Sequence, residues 1–380
     1  MIAILKFRTS MRKTASIFQI VFQTANRLTK TNAAFVAEGD SLMKVWKLES
    51  PKKMSLEESA PTALASGLVK VKIEEVLFST TDLDVYNGVA KRPYPFVMGR
   101  NAVGVISEVF AKEKTLFKKM DRVAIEPYVV CNRCEECLQQ DFQRCSELQY
   151  MGQNSEGLLK NFVDVSINQV HRLPDNLSNE KALFVSYVAF CLNIVNALHL
   201  KKGGHVVIFA STKTGIILAQ LVAYYQAVPI LVSNNEDLLE SARELGIYYC
   251  LNSKEVDVER EILTTTGGRL CRKVVLFSDS EFSVKDVYHA ASINADICLA
   301  GMSNKDSKLS LAQISQKHLN IFGVYNGVGS FSSAINLLVT GTVQVEKLIG
   351  STISFNALDK ELAKIKTSDL ALKSKIIKVD

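Results

Sequence analysis

The stretch Cys131-Asn-Arg-Cys134-Glu-Glu-Cys137-Leu-Gln-Gln-Asp-Phe-Gln-Arg-Cys145 sets four cysteines in the pattern C-x2-C-x2-C-x7-C. Zinc takes four thiolates in a tetrahedron, and spacings this short let one loop wrap the ion without a core around it. A site closed by four protein ligands leaves no position for substrate, so it stabilises a fold and does not catalyse. The other readings are unligated thiols or a pair of disulfides. Both suit poorly a cluster this tight in an otherwise cysteine-poor chain. The remaining cysteines, Cys191, Cys250, Cys271 and Cys298, are scattered among Val, Ile and Leu and read as ordinary buried thiols. A reducing compartment fits that usage better than a secreted disulfide framework.

On the N-terminal side, from Met43 onward, segments such as Gly67–Val76 and Gly104–Phe110 alternate or run in β-branched residues between Gly, Pro and Asp. They predict a mostly antiparallel β domain reaching to about residue 165. Past the cysteines the period turns helical over Glu180–Leu200, with Ala182, Val185, Ala189 and Val195 spaced for a buried face. Strands and helices then alternate. Strand His205–Ala210 leads to helix Thr214–Gln226, strand Pro229–Val232 and helix Glu236–Leu245, which stops at Gly246. Further strands are expected near Tyr248–Leu251, Lys273–Phe277 and Asp296–Ala300. Repeated βα units imply a parallel sheet covered by helices on both faces. After about residue 325 a helix over Ser330–Thr340 and short strands follow, with no new βα repeat.

The whole chain has 380 residues, 47% hydrophobic and 22% charged, enough for two well-buried domains. No apolar run reaches the roughly 18–20 residues of a membrane span, so no membrane role is expected. The net charge of +6 is concentrated at one end: residues 1–42 carry six Lys/Arg against Glu38 and Asp40. The rest is near neutral and gives nucleic-acid binding little support. Residues 1–42 resemble a mitochondrial presequence in composition, or else an unstructured extension upstream of Met43. A cytoplasmic location is expected on the second reading and a mitochondrial one on the first.

The cysteine spacing, Asp121-Arg122-Val123-Ala124, Pro127, Glu156-Gly157 and Leu173-Pro174-Asp175 together resemble the medium-chain dehydrogenase/reductase superfamily, zinc-type alcohol dehydrogenase branch. The resemblance runs from Met43 essentially to Asp380, with Ser332–Gly341 and Ile349–Asp359 similar to the family's C-terminal return. It implies an α/β protein: a GroES-like β domain (residues 43–185 and 325–380, carrying the zinc lobe) and a Rossmann domain (186–324). It also implies one structural zinc per chain on Cys131, Cys134, Cys137 and Cys145, an NAD(P) cofactor, a small-molecule substrate and a dimer or tetramer.

The same resemblance locates a second, catalytic zinc, and there the sequence departs from the family. The family's C-G-[ST]-D-x-H reads Ser79-Thr80-Thr81-Asp82-Leu83-Asp84, and its G-H-E-x-x-G reads Gly99-Arg100-Asn101-Ala102-Val103-Gly104. The third ligand falls near Val185-Ser186, at Val185. A serine hydroxyl is a poor zinc ligand, and arginine stays protonated. No histidine, and no cysteine outside the cluster, lies between Met43 and Tyr150 to substitute. The catalytic zinc is therefore expected to be lost. Arg100 could polarise a carbonyl oxygen in its place, or pair with Asp82 or Asp84 and merely fill the space. Thr81 matches the family's proton-passing hydroxyl.

Cofactor binding is expected at the turn into the first nucleotide-domain helix. The family's G-x-G-x-x-G lets a pyrophosphate approach the helix N-terminus. Here it reads Ala210-Ser211-Thr212-Lys213-Thr214-Gly215, keeping only the last glycine. Ser211 and Thr212 hydroxyls could donate to phosphates, although the Thr212 side chain also crowds them. The ribose-binding position falls at Ser233, without an acid for NAD or a base for the 2′-phosphate of NADP. Three functions follow: a zinc-independent NAD(P)-linked oxidoreductase on a small alcohol or carbonyl compound, a catalytically silent binding or assembly subunit, or a small-molecule sensor.

Overall fold

Runs of Val, Ile and Leu broken by charged residues give the first half its strands, and the computed structural model describes residues 42–90, 92–110, 115–302 and 307–379. The extension expected over residues 1–42 lies, apart from Leu42, outside the described residues. Met43–Glu58 with Thr62–Asp380 forms one compact unit.

In chain order, strand β1 (Leu68–Phe78) is followed by helix α1 (Thr80–Tyr86), β2 (Asn101–Phe110), β3 (Arg122–Ile125), β4 (Phe162–Ser166) and β5 (Val170–Arg172). Helix α2 (Val185–Leu198) then leads into β6 (His205–Phe209), α3 (Lys213–Tyr224), β7 (Val228–Ser233), α4 (Glu236–Glu244) and β8 (Tyr249–Asn252). The parallel strands continue as β9 (Cys271–Phe277), β10 (Ala291–Ala300) and β11 (Asn320–Val324). After α5 (Phe331–Val339) the chain returns through β12 (Ile349–Ser354), α6 (Thr367–Ala371) and β13 (Ser374–Lys378).

Two sheets result. One runs β12-β13-β1-β2-β3-β5, with β4 also on β1. Its pairs are antiparallel except β12 with β13. The other is wholly parallel, in the order β8-β7-β6-β9-β10-β11. Its central strand His-Val-Val-Ile-Phe carries no alternation because helices cover both faces. Pairing of the C-terminal Lys375–Lys378 with Glu75–Phe78 closes the discontinuous first sheet.

Helices α2 and α3 are buried along most of their length and pack on each other, and α5 packs on α2. The helical text over Asn179–Leu198 corrects one expectation. These twenty residues are long and apolar enough to cross a membrane, but 72% of their most apolar window is buried inside the protein. Gly246 takes a φ of +85° after α4, as a helix-stopping glycine does.

The surviving glycine of the β6–α3 turn is held by packing. A Cβ at Gly215 would lie 2.4 Å from Ala210 Cβ and 3.2 Å from Leu231 Cδ1. That contact lets α3 lie close on β6 and β7. Gly215→Ala is expected to cost about 1–3 kcal/mol of unfolding free energy through overpacking. Urea denaturation of the variant beside the native chain measures it, and equal midpoints would show that Ala210 moves aside freely.

Candidate functional site

Ser79 is completely buried and caps α1. Asp82, three residues on, accepts from the Ser79 amide (3.0 Å) and hydroxyl (2.6 Å) through Oδ2. The Ser-x-x-Asp spacing brings the carboxylate back over the helix start, as capping pairs do. Ser79 is thus consumed locally. Arg100 arrives from the turn before β2 and lies against this cap. Its Nε is 3.7 Å from Asp82 Oδ1, and its NH2 donates to Ser79 Oγ at 3.4 Å. The guanidinium is 8% exposed and sits over the Tyr150 ring, 5.4 Å from the centroid. Burial alone would lower its hold on the proton, but Tyr150, Asp82, Tyr187 and Tyr128 more than reverse this. Arg100 is thus paired with Asp82, the contact the sequence allowed for beside a role on a carbonyl oxygen.

Arg100 lines a cleft of about 990 Å³ together with Thr81, Asn101, Tyr128, Tyr150 and Tyr187. Thr81 is exposed on its wall. Asn101, where the family has glutamate, is buried with no hydrogen-bond partner for Oδ1 among the described residues. The third ligand position needs correction. Val185 is 1% exposed and packs in the core, whereas its neighbours Ser186 and Tyr187 face the cleft. One helical residue is about 100° of rotation, enough to turn a core position into a wall position. Burial raises the Tyr187 phenol, with Arg100 and a hydrogen bond with Ser79 pulling partly back. The aromatic wall of Tyr128, Tyr150 and Tyr187 comes from three separate segments, and sequence reading missed it.

The cleft continues past the start of α3. Ser211, Thr212, Lys213 and Thr214 line it, whereas Ala210 is fully buried beneath Gly215 and is removed from the cofactor-facing set. Thr212 Oγ1 donates to Asp279 Oδ2 at 2.9 Å, and Ser211 Oγ accepts from the Glu281 amide at 3.3 Å. Lys213 does not point out of the helix start. Its Nζ donates to the Leu370 carbonyl on α6 at 2.8 Å and lies 5.8 Å from the Tyr187 ring centroid. Burial lowers the ammonium to about 8, with Asp279 and Asp82 opposing.

Ser233 is also corrected. It is 0% exposed, and its hydroxyl accepts from the Asn235 amide. The rim there is formed instead by Asn234, Asn235, Glu236 and Asp237, so acids are present one turn later than expected. Glu236 is engaged by Arg243 and Asn252, and Asp237 is exposed at the cleft edge.

The four-cysteine lobe lies elsewhere. The sulfurs of Cys131, Cys134, Cys137 and Cys145 all lie within 4.8 Å of one another, with Cys131 and Cys137 3.9 Å apart. A tetrahedron with Zn–S near 2.3 Å needs sulfurs about 3.8 Å apart, so the set fits zinc. Amides of Cys131 and Cys134 point at the sulfurs of Cys145 and Cys131. Hydrogen bonds from the Arg133 and Cys134 amides lower the Cys131 thiol to about 7. This is the one cluster of three or more metal-ligating side chains among the described residues.

Comparison with known proteins agrees with this architecture. Residues 65–175 match the alcohol dehydrogenase GroES-like domain, and residues 214–340 match the zinc-binding dehydrogenase domain. An uncharacterized zinc-type alcohol dehydrogenase-like protein of Haemophilus influenzae is 27% identical over 82% of this chain and 91% of its own length. A solved Escherichia coli CFT073 alcohol dehydrogenase, complexed with NADH, superposes with a TM-score of 0.79 at 22% identity. It covers 89% of this chain and 100% of that one. A putative zinc-binding dehydrogenase of Sinorhizobium meliloti bound to NADP gives a TM-score of 0.80 at 20% identity, with the same coverage.

Lys213 makes stability depend on pH in a defined direction. Its folded pKa, about 8, lies below the unfolded value near 10.5. Between these values the unfolded chain binds more protons, so stability rises with pH and is penalised by a buried charge below about 8. Relative to Lys213→Met, the native chain should gain about 3 kcal/mol from pH 8 to 10.5. Denaturant unfolding across that range reads the difference; parallel pH profiles would remove the buried ammonium from the account.

Proposed function

Because this chain belongs to the zinc-type alcohol dehydrogenase-like branch of the medium-chain dehydrogenase/reductase superfamily, we propose that it is an NAD-linked oxidoreductase working without a catalytic zinc on a small alcohol or carbonyl compound. The observation that carries this reading is Arg100. A permanent cation stands in the substrate cleft at a metal-ligand position, and part of its guanidinium is not taken up by Asp82 or Ser79. A nicotinamide, when bound, supplies the hydride chemistry, while the protein supplies orientation and polarisation. Arg100 polarises the carbonyl oxygen by stabilising charge that develops there. Thr81, exposed on the same wall, passes the proton.

The residues present fit a dinucleotide. The cleft leads from Arg100 past the start of α3 to the rim at Asp237. A carboxylate there accepts from ribose hydroxyls and repels a 2′-phosphate. This favours NAD, against the lean towards NADP that an acid-free Ser233 would give. The structural zinc belongs to the four-cysteine lobe, one per chain, where it closes the loop and takes no part in turnover. A homo-oligomer is part of the same proposal, since β11 ends its sheet and offers an edge for a second copy.

A silent relative remains the second reading, favoured by one observation. Glu236, Asp237, Asp279 and Glu281 line the nucleotide side, and Asp279 holds the Thr212 hydroxyl that a phosphate would need.

Titration with NADH and NADPH, followed by nicotinamide fluorescence, separates the readings alongside metal analysis. The expected result is one zinc per chain and NADH binding about tenfold tighter than NADPH. Asp237→Ser should narrow that gap. One zinc with neither cofactor bound would leave the silent relative standing, and a second zinc would overturn the metal-free cleft.

A further inference from the structure

The geometry points to a substrate class for this cleft: 2-oxo acids with an apolar side chain, and the corresponding 2-hydroxy acids, held through their carboxylate by Arg100. This inference rests on the oxidoreductase reading and narrows it. The guanidinium has five N–H donors in a rigid fork. Its Nε and NH2 edge faces Asp82 and Ser79. NH1 has no protein partner among the described residues, and the side chain lines the cleft. The free end of such a fork matches two coplanar oxygens, and a 2-oxo acid presents a carboxylate oxygen and the neighbouring carbonyl oxygen in that arrangement.

Charge around Arg100 supports an anion. Asp82 is the near counter-charge and is already shared with the Ser79 amide and hydroxyl. Near Arg100, Arg92 carries a buried Nε with no hydrogen-bond partner among the described residues; burial and then repulsion from Arg100 lower its hold on its proton. Across the cleft Lys213 has used one of three donors, on the Leu370 carbonyl. Asp84 lines the same wall and is the opposing charge. An incoming carboxylate therefore meets Arg100 directly, with Lys213 and Asp84 on the same lining and Asp279 beside Lys213. The rest of the substrate meets Tyr128, Tyr150, Tyr187 and Phe190, an aromatic wall suited to a branched or aryl side chain. Reduction would add a hydride to the carbonyl carbon, drawn from a reduced nicotinamide, and a solvent proton relayed through the Thr81 hydroxyl to its oxygen, giving the 2-hydroxy acid and the oxidised nicotinamide.

The test is calorimetric titration of the zinc-loaded chain with 4-methyl-2-oxopentanoate, its uncharged methyl ester, and inorganic phosphate, each with and without NADH. The acid should bind about tenfold or more tightly than the ester, since the ester forfeits the charge-assisted pair. Arg100→Met should abolish that preference and Arg100→Lys should keep part of it, while Arg92→Met should weaken acid binding a few-fold. Thermal melts check that the variants fold, and the acid–ester comparison on the native chain needs no variant. Equal binding of acid and ester, or no binding of the acid, overturns the proposal. Phosphate binding tighter than the acid overturns it in favour of a phosphate ester. NADH binding without acid binding removes the substrate class and leaves the oxidoreductase reading intact; failure of both removes the two together.

Discussion

A buried guanidinium must be paid for with a counter-charge, and in this protein that requirement ties the cleft together. Arg100 is almost wholly enclosed, and the partner that makes this tolerable is Asp82, 3.7 Å away. Asp82 is itself held by the cap of α1, through the Ser79 amide and hydroxyl. Removing one member of such a group strands a charge and costs about 3–5 kcal/mol. The turn before β2, the start of α1 and the Tyr150 ring are therefore positioned by one electrostatic condition. At this place in the cleft the chain carries a positive charge covalently bound to its backbone. Such a charge cannot dissociate, so whatever the cleft binds meets a positive centre at every pH in which the fold survives.

The four-cysteine lobe obeys a different constraint. Its ligands come from a single loop of fifteen residues, with amides aimed at the sulfurs from within the same loop. Nothing in the cleft contributes a ligand. The ligand positions of the cleft instead come from the cap of α1, the turn before β2 and the start of α2, three separate elements spread between Ser79 and Val185. A site assembled from distant elements loses its metal when any one contributor changes. A site wrapped by one loop depends only on itself.

The same contrast decides what was legible in the sequence. The cysteine set, the βα alternation and the Ser79, Arg100 and Asn101 replacements are local patterns, and each could be read in place. The failures are failures of direction. Val185 and Ser233 were placed within one or two residues of the cleft wall, but helix and strand geometry turned Ser186, Tyr187 and Asp237 toward it and buried the expected pair. Lys213 falls within the segment Ala210–Gly215 that matches the family's phosphate loop. Its four-carbon stem instead crosses to α6, a contact spanning 157 positions that no local pattern encodes. Tyr128, Tyr150 and Tyr187 have no mutual spacing at all. Only the fold brings them together.

These directions give the cleft two unlike ends. At the α1 and β2 end, Arg100 stands with Asp84 among aromatic rings. At the α3 and α4 end, Glu236, Asp237, Asp279 and Glu281 outnumber Lys213 and Lys254. A field of this shape sorts ligands by orientation: an anionic group settles toward Arg100, and a neutral, hydroxyl-rich group is accepted at the acidic rim. A dinucleotide carrying two phosphates fits only if those phosphates stop short of the rim, at the start of α3, where amides and the hydroxyls of Ser211 and Thr212 lie. There the bond between Thr212 and Asp279 becomes the controlling contact. Burial raises the Asp279 carboxyl, with the Thr212 hydroxyl and Lys213 pulling the other way. The active and silent readings of this protein thus turn on the acidic nucleotide side and its Thr212–Asp279 bond, while Arg100 is common to both.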